Sequence, residues 1–323
     1  EAKWGFELVN HYQFSDDLRM VAGLGIRDDK IRGNSLFDGE PSNSTLYLFT
    51  NFEWRLAPKW LLNGGFLFEE DDYVDSVASP RLALNYIASA NSAFRLVAAK
   101  GVRTPDFYEQ VGHRHYQVID LTPPVNGNDD FATFYLTPQS SGNLFEETIR
   151  SYEIGWFYSK DKLSLDIKLF QEEVEDAISG LFMLEAFDPV NALDFDNQGI
   201  DLQIEYQLTD QDKIWATASH IDHDTKSGRS IAHQIMEKTT TLMYQHSFTD
   251  SQQLSLAYYN QTMGDNDRFE RVDLRYGFGF NLGQVKSEID FVVQHRFSDD
   301  AFFTAKNVVG DQTIGFVRAR FNF

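Results

Sequence analysis

Apolar and polar residues alternate with a period of two along most of this chain. Leu163, Leu165, Ile167 and Leu169 fall on one side of their segment, with Ser164, Asp166 and Lys168 between them. The same alternation sets Leu202, Ile204, Tyr206 and Leu208 against Asp201, Gln203, Glu205 and Gln207. It also sets Val272, Leu274, Tyr276, Phe278, Phe280 and Leu282 against Arg271, Asp273, Arg275, Gly277, Gly279 and Asn281. Tyr152, Ile154, Trp156 and Tyr158 do the same beside Glu153 and Gly155. A strand sends successive side chains to opposite faces, so these segments read as strands with one apolar and one polar face. About fifteen are predicted, at 3–14, 18–31, 45–56, 60–70, 78–88, 93–103, 148–158, 162–176, 197–208, 213–223, 237–248, 252–263, 269–282, 286–297 and 312–323. Helical spacing scarcely occurs.

The connections sort by length. Short polar turns are expected at Ser15–Asp17, Ala57–Lys59, Ser89–Ser92, Ser159–Lys162, Thr209–Lys213, Phe248–Gln252 and Gly283–Lys286. Between them lie Asp29–Ser44, Thr104–Glu147, Gly180–Asp194, Asp224–Glu237, Gly264–Asp267 and Ser298–Asp311, mostly longer, with Asp71–Ser76 brief for its class. Transmembrane β-barrels alternate tight periplasmic turns with extended outer loops. Sandwiches and propellers do not usually sort loops by parity. The expected fold class is therefore all-β, an antiparallel transmembrane β-barrel over residues 1–323 with a long outer loop at 104–147. Single-chain bacterial barrels have even strand numbers. An odd count, with the first strand descending from the outer side, leads us to expect that the chain begins part-way round a larger barrel.

Composition narrows this picture. The chain has 323 residues, a formal charge of −21 and no cysteine, which removes disulfides and thiolate metal sites. The acid excess argues against nucleic acid as a partner. No segment approaches the roughly 20 apolar residues of a membrane helix, but barrel strands of about 9–11 residues escape hydropathy. Aromatics make up 15% of residues, enough for interfacial girdles, with Trp54, Trp60, Tyr86, Trp156, Trp215 and Tyr258 as candidates.

Several short motifs carry a family resemblance. Arg103-Thr104-Pro105-Asp106 follows the strand at 93–103; Asn143-Leu144-Phe145-Glu146-Glu147 comes downstream; then Ser151-Tyr152-Glu153-Ile154-Gly155 and Asn197-Gln198-Gly199-Ile200-Asp201. This order resembles the second half of TonB-dependent outer-membrane receptor barrels, with their Arg-x-Pro, Asn-Leu-x-x-Glu, Ser-x-Glu-x-Gly and Asn-x-Gly-x-Glu steps. Asp201 stands where Glu is usual, and Glu146 where Pro is common. The final strand, Gln312–Phe323, resembles the C-terminal assembly signal of such barrels through Phe321 and Phe323. The resemblance implies a 22-stranded barrel of which this chain is the C-terminal part, with the plug domain absent. It implies uptake of a scarce ligand, most often a ferric siderophore, otherwise haem or cobalamin, at the outer membrane of a Gram-negative bacterium. Implied partners are the TonB system acting through a plug not in this chain, outer-membrane lipid and lipopolysaccharide, the barrel-assembly machinery and a small iron chelate. The competing expectations are a complete passive porin or export channel of about sixteen strands and a soluble all-β binding module.

No catalytic constellation stands out: acids alternating along strands are what a wet lumen requires, and the serines lack a nucleophile-elbow context. No enzyme activity and no cofactor are expected. The loop at 104–147 supplies the ligand-binding candidates, Tyr108, His113, Arg114, His115 and Tyr116. His113 and His115 are also metal candidates, because neutral imidazole is the commonest metal ligand and both imidazole and phenolate bind iron. Arg271, Arg275, Arg318 and Arg320 are expected to face the lumen, opposite inward carboxylates and, as the resemblance implies, a plug. His220 and His223 fall on opposite faces of a continuing strand, so joint ligation is not expected. Glu69–Asp72 and Asn126–Asp130 are acidic tips that could attract Ca²⁺ but read better as solvated charge.

Overall fold

Fifteen strands form one antiparallel sheet in which nearly every strand pairs with its neighbour in sequence. The computed structural model describes residues 1–323 except 34, 125–129, 179–187, 229–234, 264–266, 298–311 and 323. The strands before the longest loop are β1 (Ala2–Gln13), β2 (Leu18–Lys30), β3 (Ser42–Ala57), β4 (Trp60–Asp71), β5 (Val77–Ser89) and β6 (Ser92–Arg103). After it come β9 (Glu147–Lys160), β10 (Leu163–Ile178), β11 (Asn191–Gln207), β12 (Asp212–Ser227), β13 (Met236–Thr249), β14 (Gln252–Met263), β15 (Asp267–Leu282), β16 (Val285–Arg296) and β17 (Thr313–Asn322). Each expected strand is present, with most bounds shifted by a few residues; β11 begins at Asn191 and β12 runs on to Ser227, so both reach into stretches expected to be loop. The expected loop at 104–147 differs: it carries a short helix, α1 (Phe107–Val111), and a two-stranded hairpin, β7 (His113–Val118) with β8 (Ala132–Gln139). Those short strands have no apolar–polar contrast between faces, so no period of two announces them. The first and last strands of the sheet, β1 and β17, each pair on one side only among the described residues.

The register shows which face is outside. Leu8, Leu24 and Leu48 stand directly opposite one another across β1, β2 and β3. Leu96, Ile154, Leu169 and Ile200 do so across β6, β9, β10 and β11, and Leu256, Leu274 and Val293 across β14, β15 and β16. Every one of these ten side chains is between 41% and 58% exposed. A soluble sheet would bury such a row under a second layer. Here the apolar rows lie bare, and the salt bridges beside them, such as Lys168–Asp201, Lys213–Glu205 and Arg318–Asp290, run along the opposite face, the inverted arrangement of a membrane barrel; the pairs that share the apolar face, Arg150–Glu175 and Lys226–Asp196 among them, lie towards the strand ends. Nearer the short turns a second outward row is aromatic. Trp60, Tyr86, Phe94 and Trp156 are successive cross-strand neighbours, with ring centroids 4.6 Å apart for Trp60–Tyr86 and 6.4 Å for Phe94–Trp156. Amphipathic rings favour the membrane interface. Trp54 shares this outward face, opposite Leu18. Tyr258, also outward, donates its hydroxyl to Glu270 at 2.6 Å. Trp215 does not belong to the girdle. It opposes Glu205 on the charged face, and the Lys213 ammonium lies 4.5 Å from its ring centroid.

On the charged face, glycine makes room for large side chains. Phe170 lies across Gly199 of the adjacent strand, where a Cβ would come within 2.7 Å of the ring and 2.4 Å of the His220 carbonyl. Only glycine permits that approach.

Placing a charge in the outward belt should therefore be costly. Leu169→Arg is expected to destabilise the complete protein in lipid vesicles by about 2–4 kcal/mol. Lys168→Gln, one residue away on the wet face, should cost about 0–1 kcal/mol. Equal effects of the two substitutions on the unfolding free energy would contradict this orientation.

Candidate functional site

At the end of the sheet that carries the long segment 104–147, the strands are tied together by the residues of the sequence motifs. Arg103, the last residue of β6, sits directly opposite Glu147, the first of β9. Its guanidinium donates to Glu147 (Nη2–Oε1 2.8 Å) and to both oxygens of Glu109 (2.8 and 3.0 Å). One planar fork thus joins both ends of the long segment to the helix between them, which suits arginine and not lysine. Asp106 caps α1 by accepting from the Glu109 amide at 2.8 Å, while the Glu109 carboxylate accepts from the Asp106 amide at 3.0 Å. That reciprocal capping box sets the helix on the rim. Gln110, buried, donates to the Gly142 carbonyl (3.2 Å) and accepts from the Leu144 amide (3.3 Å), fixing the Asn-Leu step.

From this base the β7–β8 hairpin extends and receives a second loop. The His113 and His115 amides donate to the carbonyls of Leu36 (2.8 Å) and Ser35 (3.0 Å), so the β2–β3 connection lies along the edge of β7 opposite β8. Phe37 anchors it, bridging to Gly112 and 5% exposed. Gly112 is needed there: a Cβ would fall 2.2 Å from the Tyr108 carbonyl and 2.8 Å from Pro138. A third loop joins through Asp188, which accepts from the Ser141 amide at 2.8 Å. Asn191 then brackets Phe145 and the Asp176 carbonyl at 2.7–3.0 Å.

The five candidate ligand residues divide between places. His113 and His115 share one face of β7 with Tyr135, ring centroids 5.8–6.1 Å apart. Arg114 and Tyr116 fall on the other face, where Tyr116 stacks on Phe134 at 5.1 Å. Tyr108 lies in α1, its carbonyl accepting from the Ser140 hydroxyl. Asp38, which sequence reasoning missed, reaches the histidines from the β2–β3 loop: its Oδ2 is 3.1 Å from His113 Nδ1. Asp38, His113 and His115 each bring a ligand atom within 4.8 Å of the others. In the β4–β5 turn Tyr73 packs edge-on against Phe107 of α1 at 5.7 Å, and burial, with Asp71 and Asp72 nearby, pushes its hydroxyl up to about 12.

The remaining expected acidic and histidine sites are occupied by structure. Asp71 accepts from the Asn43 side chain and the Tyr73 amide, and Asp72 from the Ser44 amide, so this tip staples β3 to the β4–β5 turn. Of Asn126–Asp130, residues 126–129 lie outside the described residues. β12 runs straight through His220 and His223. His220 contacts the Glu237 carbonyl, and His223 contacts Asn197 and Thr225.

The charged face carries the four arginines in a ladder. Asp290, 2% exposed, lies between Arg275 and Arg318, with Arg318 Nε 2.8 Å from Oδ2. Glu288 takes Arg275 and Arg320, the latter at 3.3 Å. Arg271 bonds Asp273 at 2.8 Å and covers the Tyr259 ring at 4.9 Å. Phe321 lies on the outward face of β17, opposite Ser287; Phe323 is outside the described residues.

Exposed apolar rows on one face, ion pairs on the other and loops clasped at one rim are features that known proteins share. The family model described as TonB dependent receptor-like, beta-barrel, matches residues 3–241. The chain belongs to this family. A probable TonB-dependent siderophore receptor, PiuA of Acinetobacter baumannii, is 23% identical over 206 residues, 62% of this chain and 27% of that protein. The siderophore receptor PirA of Pseudomonas aeruginosa superposes with a TM-score of 0.73 at 12% identity, covering 99% of this chain and 56% of that one. The FrpB iron transporter of Neisseria meningitidis gives 0.70 at 12% identity, over 98% and 55%. The chain thus spans about a quarter of the curated relative and about half of these solved structures. Within the family frame, the Arg103–Glu147 clasp is the physical content of two of the motifs.

Cutting the clasp should loosen the long segment between β6 and β9 and spare the barrel. Since the pair is partly exposed, Arg103→Ala is expected to cost roughly 1–2 kcal/mol locally, or about tenfold faster amide exchange over residues 107–118. Exchange in β9 and β10 should stay slow. Unchanged exchange in 107–118 would show that the clasp does not hold the segment.

Proposed function

We propose that this chain is the barrel part of an outer-membrane receptor that takes up a ferric siderophore in a TonB-dependent manner. The observation that carries the reading is the outer rim, where three loops converge on one hydrogen-bonded platform above the inner wall of a family barrel. A passive pore has no need of such a clasped cap, whereas a receptor must present a shaped surface to a dilute ligand. The siderophore is suggested by the names of PiuA and PirA. In this reading the fifteen strands close with further strands into the 22-stranded barrel of the large transporters. Closure is physically required, since an unpaired edge in hydrocarbon leaves backbone groups without partners. The ion-paired wall of Arg275, Asp290, Arg318 and Glu288 then faces a plug. Work is done by the proton-motive force relayed through TonB to that plug, and the barrel performs no chemistry. The receptor sits in the outer membrane of a Gram-negative cell, among lipopolysaccharide, placed there by the barrel-assembly machinery. Arg114 and Tyr116, on the face of β7 away from the histidines, and Tyr108 of α1 are the proposed first contacts for the chelate.

The test is uptake of radiolabelled iron, offered as a panel of ferric siderophores, in cells whose only iron receptor is the complete protein. At least one chelate should enter, and a proton uncoupler should abolish its entry. Deleting residues 113–139 should lower uptake at least about tenfold with normal outer-membrane amounts of receptor. Entry that persists in the presence of the uncoupler would replace this reading with a passive channel.

A further inference from the structure

The Asp38–His113–His115 cluster has features that neither loop packing nor solvation accounts for. Both histidines come from one face of β7, and the carboxylate comes from a different loop laid along the same strand. His115 Nδ1 lies 3.1 Å from the His113 carbonyl. Donation there fixes the tautomer and leaves Nε2 with its lone pair free, the way metal-bound histidines are oriented by a backbone acceptor. His113 Nδ1 is shielded from solvent and makes no well-aligned hydrogen bond, although Asp38 Oδ2 is only 3.1 Å away. That spacing is close to the edge of a tetrahedron around an ion with bonds of about 2.0–2.2 Å. The Asp38 side chain is 71% exposed and has no other hydrogen-bond or ion-pair partner among the described residues, so a small rotation can close the set.

We propose that Asp38, His113 and His115 bind one divalent first-row transition-metal ion, of the Zn²⁺ class, that fastens the β2–β3 loop to the β7–β8 hairpin. Two imidazoles and one carboxylate form a borderline donor set that suits Zn²⁺, Cu²⁺ or Ni²⁺. Ca²⁺ and Mg²⁺ prefer six or more oxygens. Three protein ligands leave a fourth position open to water. The ion joins two loops that otherwise meet through backbone bonds at Ser35 and Leu36 and the Phe37 anchor, and so stiffens the outer platform. The proposal goes beyond the uptake reading and holds whichever cargo the receptor carries.

The test uses the complete receptor in detergent, without a polyhistidine tag, titrated calorimetrically with ZnCl₂ in the absence of any siderophore. Wild type should take up one ion per chain, and a hundredfold excess of CaCl₂ should not displace it. The near-isosteric D38N, which leaves the backbone pairing of both loops intact, should weaken binding at least about tenfold, and H113A/H115A at least about a hundredfold. Amide exchange of wild type with and without ZnCl₂ supplies a second readout: residues 35–38 and 113–118 should both slow. No saturable binding by wild type, wild-type affinity in D38N and H113A/H115A, displacement by Ca²⁺, or binding without slowed exchange in either segment would each overturn it. Because no siderophore is present, these outcomes are separate from the fate of the uptake reading.

Discussion

A bilayer offers no hydrogen bonds, so every backbone amide and carbonyl that enters it must find its partner within the protein. That constraint organises everything else in this chain. It demands long strands paired edge to edge, and once backbone polarity is consumed in the ladder, side chains alone decide which face meets lipid. The rows Leu96–Ile154–Leu169–Ile200 and Leu256–Leu274–Val293 meet it. The salt bridges of Lys168 with Asp201, Lys213 with Glu205 and Arg318 with Asp290 line the other face. Hydrophobic residues here do not make a core; they make a coat.

The charged face has its own packing problem, because large side chains of adjacent strands compete for one surface. Glycines opposite aromatic rings solve it at Gly199 beneath Phe170, and charged groups are satisfied sideways by neighbours on adjacent strands. Such pairs contribute little to stability where water reaches them. Their importance is that they keep a charged wall ordered. At the rim that carries the long segment, the same economy of charge is used differently. Arg103 gathers Glu109 and Glu147, so the motif residues close the long segment at its root, and the hairpin and two neighbouring loops build on that root.

The strands were legible in the sequence because a period of two is forced on any sheet with unlike faces. The alternation of loop lengths was legible for the same reason, since all odd connections lie at one end of the strands. The β7–β8 hairpin was not legible. His113 to Val118 expose both faces to water or to other loops, so no contrast survives in the sequence. Asp38 could not be found either, because its link to the histidines runs through backbone bonds between two loops far apart in the chain. Trp215 shows a different failure: its parity matches Lys213 and Thr217 on the wet face, but its aromatic identity suggested the interface. Position on the strand, not residue type, decided its environment.

The central claim is that Leu165, Ile167 and Leu169 face lipid while Asp166 and Lys168 face water. Spin labels placed singly at residues 164–171 of the complete receptor in vesicles read this directly, through their accessibility to dissolved oxygen and to a polar nickel chelate. Oxygen accessibility should peak at 165, 167 and 169 and nickel accessibility at 166 and 168, out of phase with a period of two. Profiles in phase, or oxygen peaks at the even positions, would contradict the account.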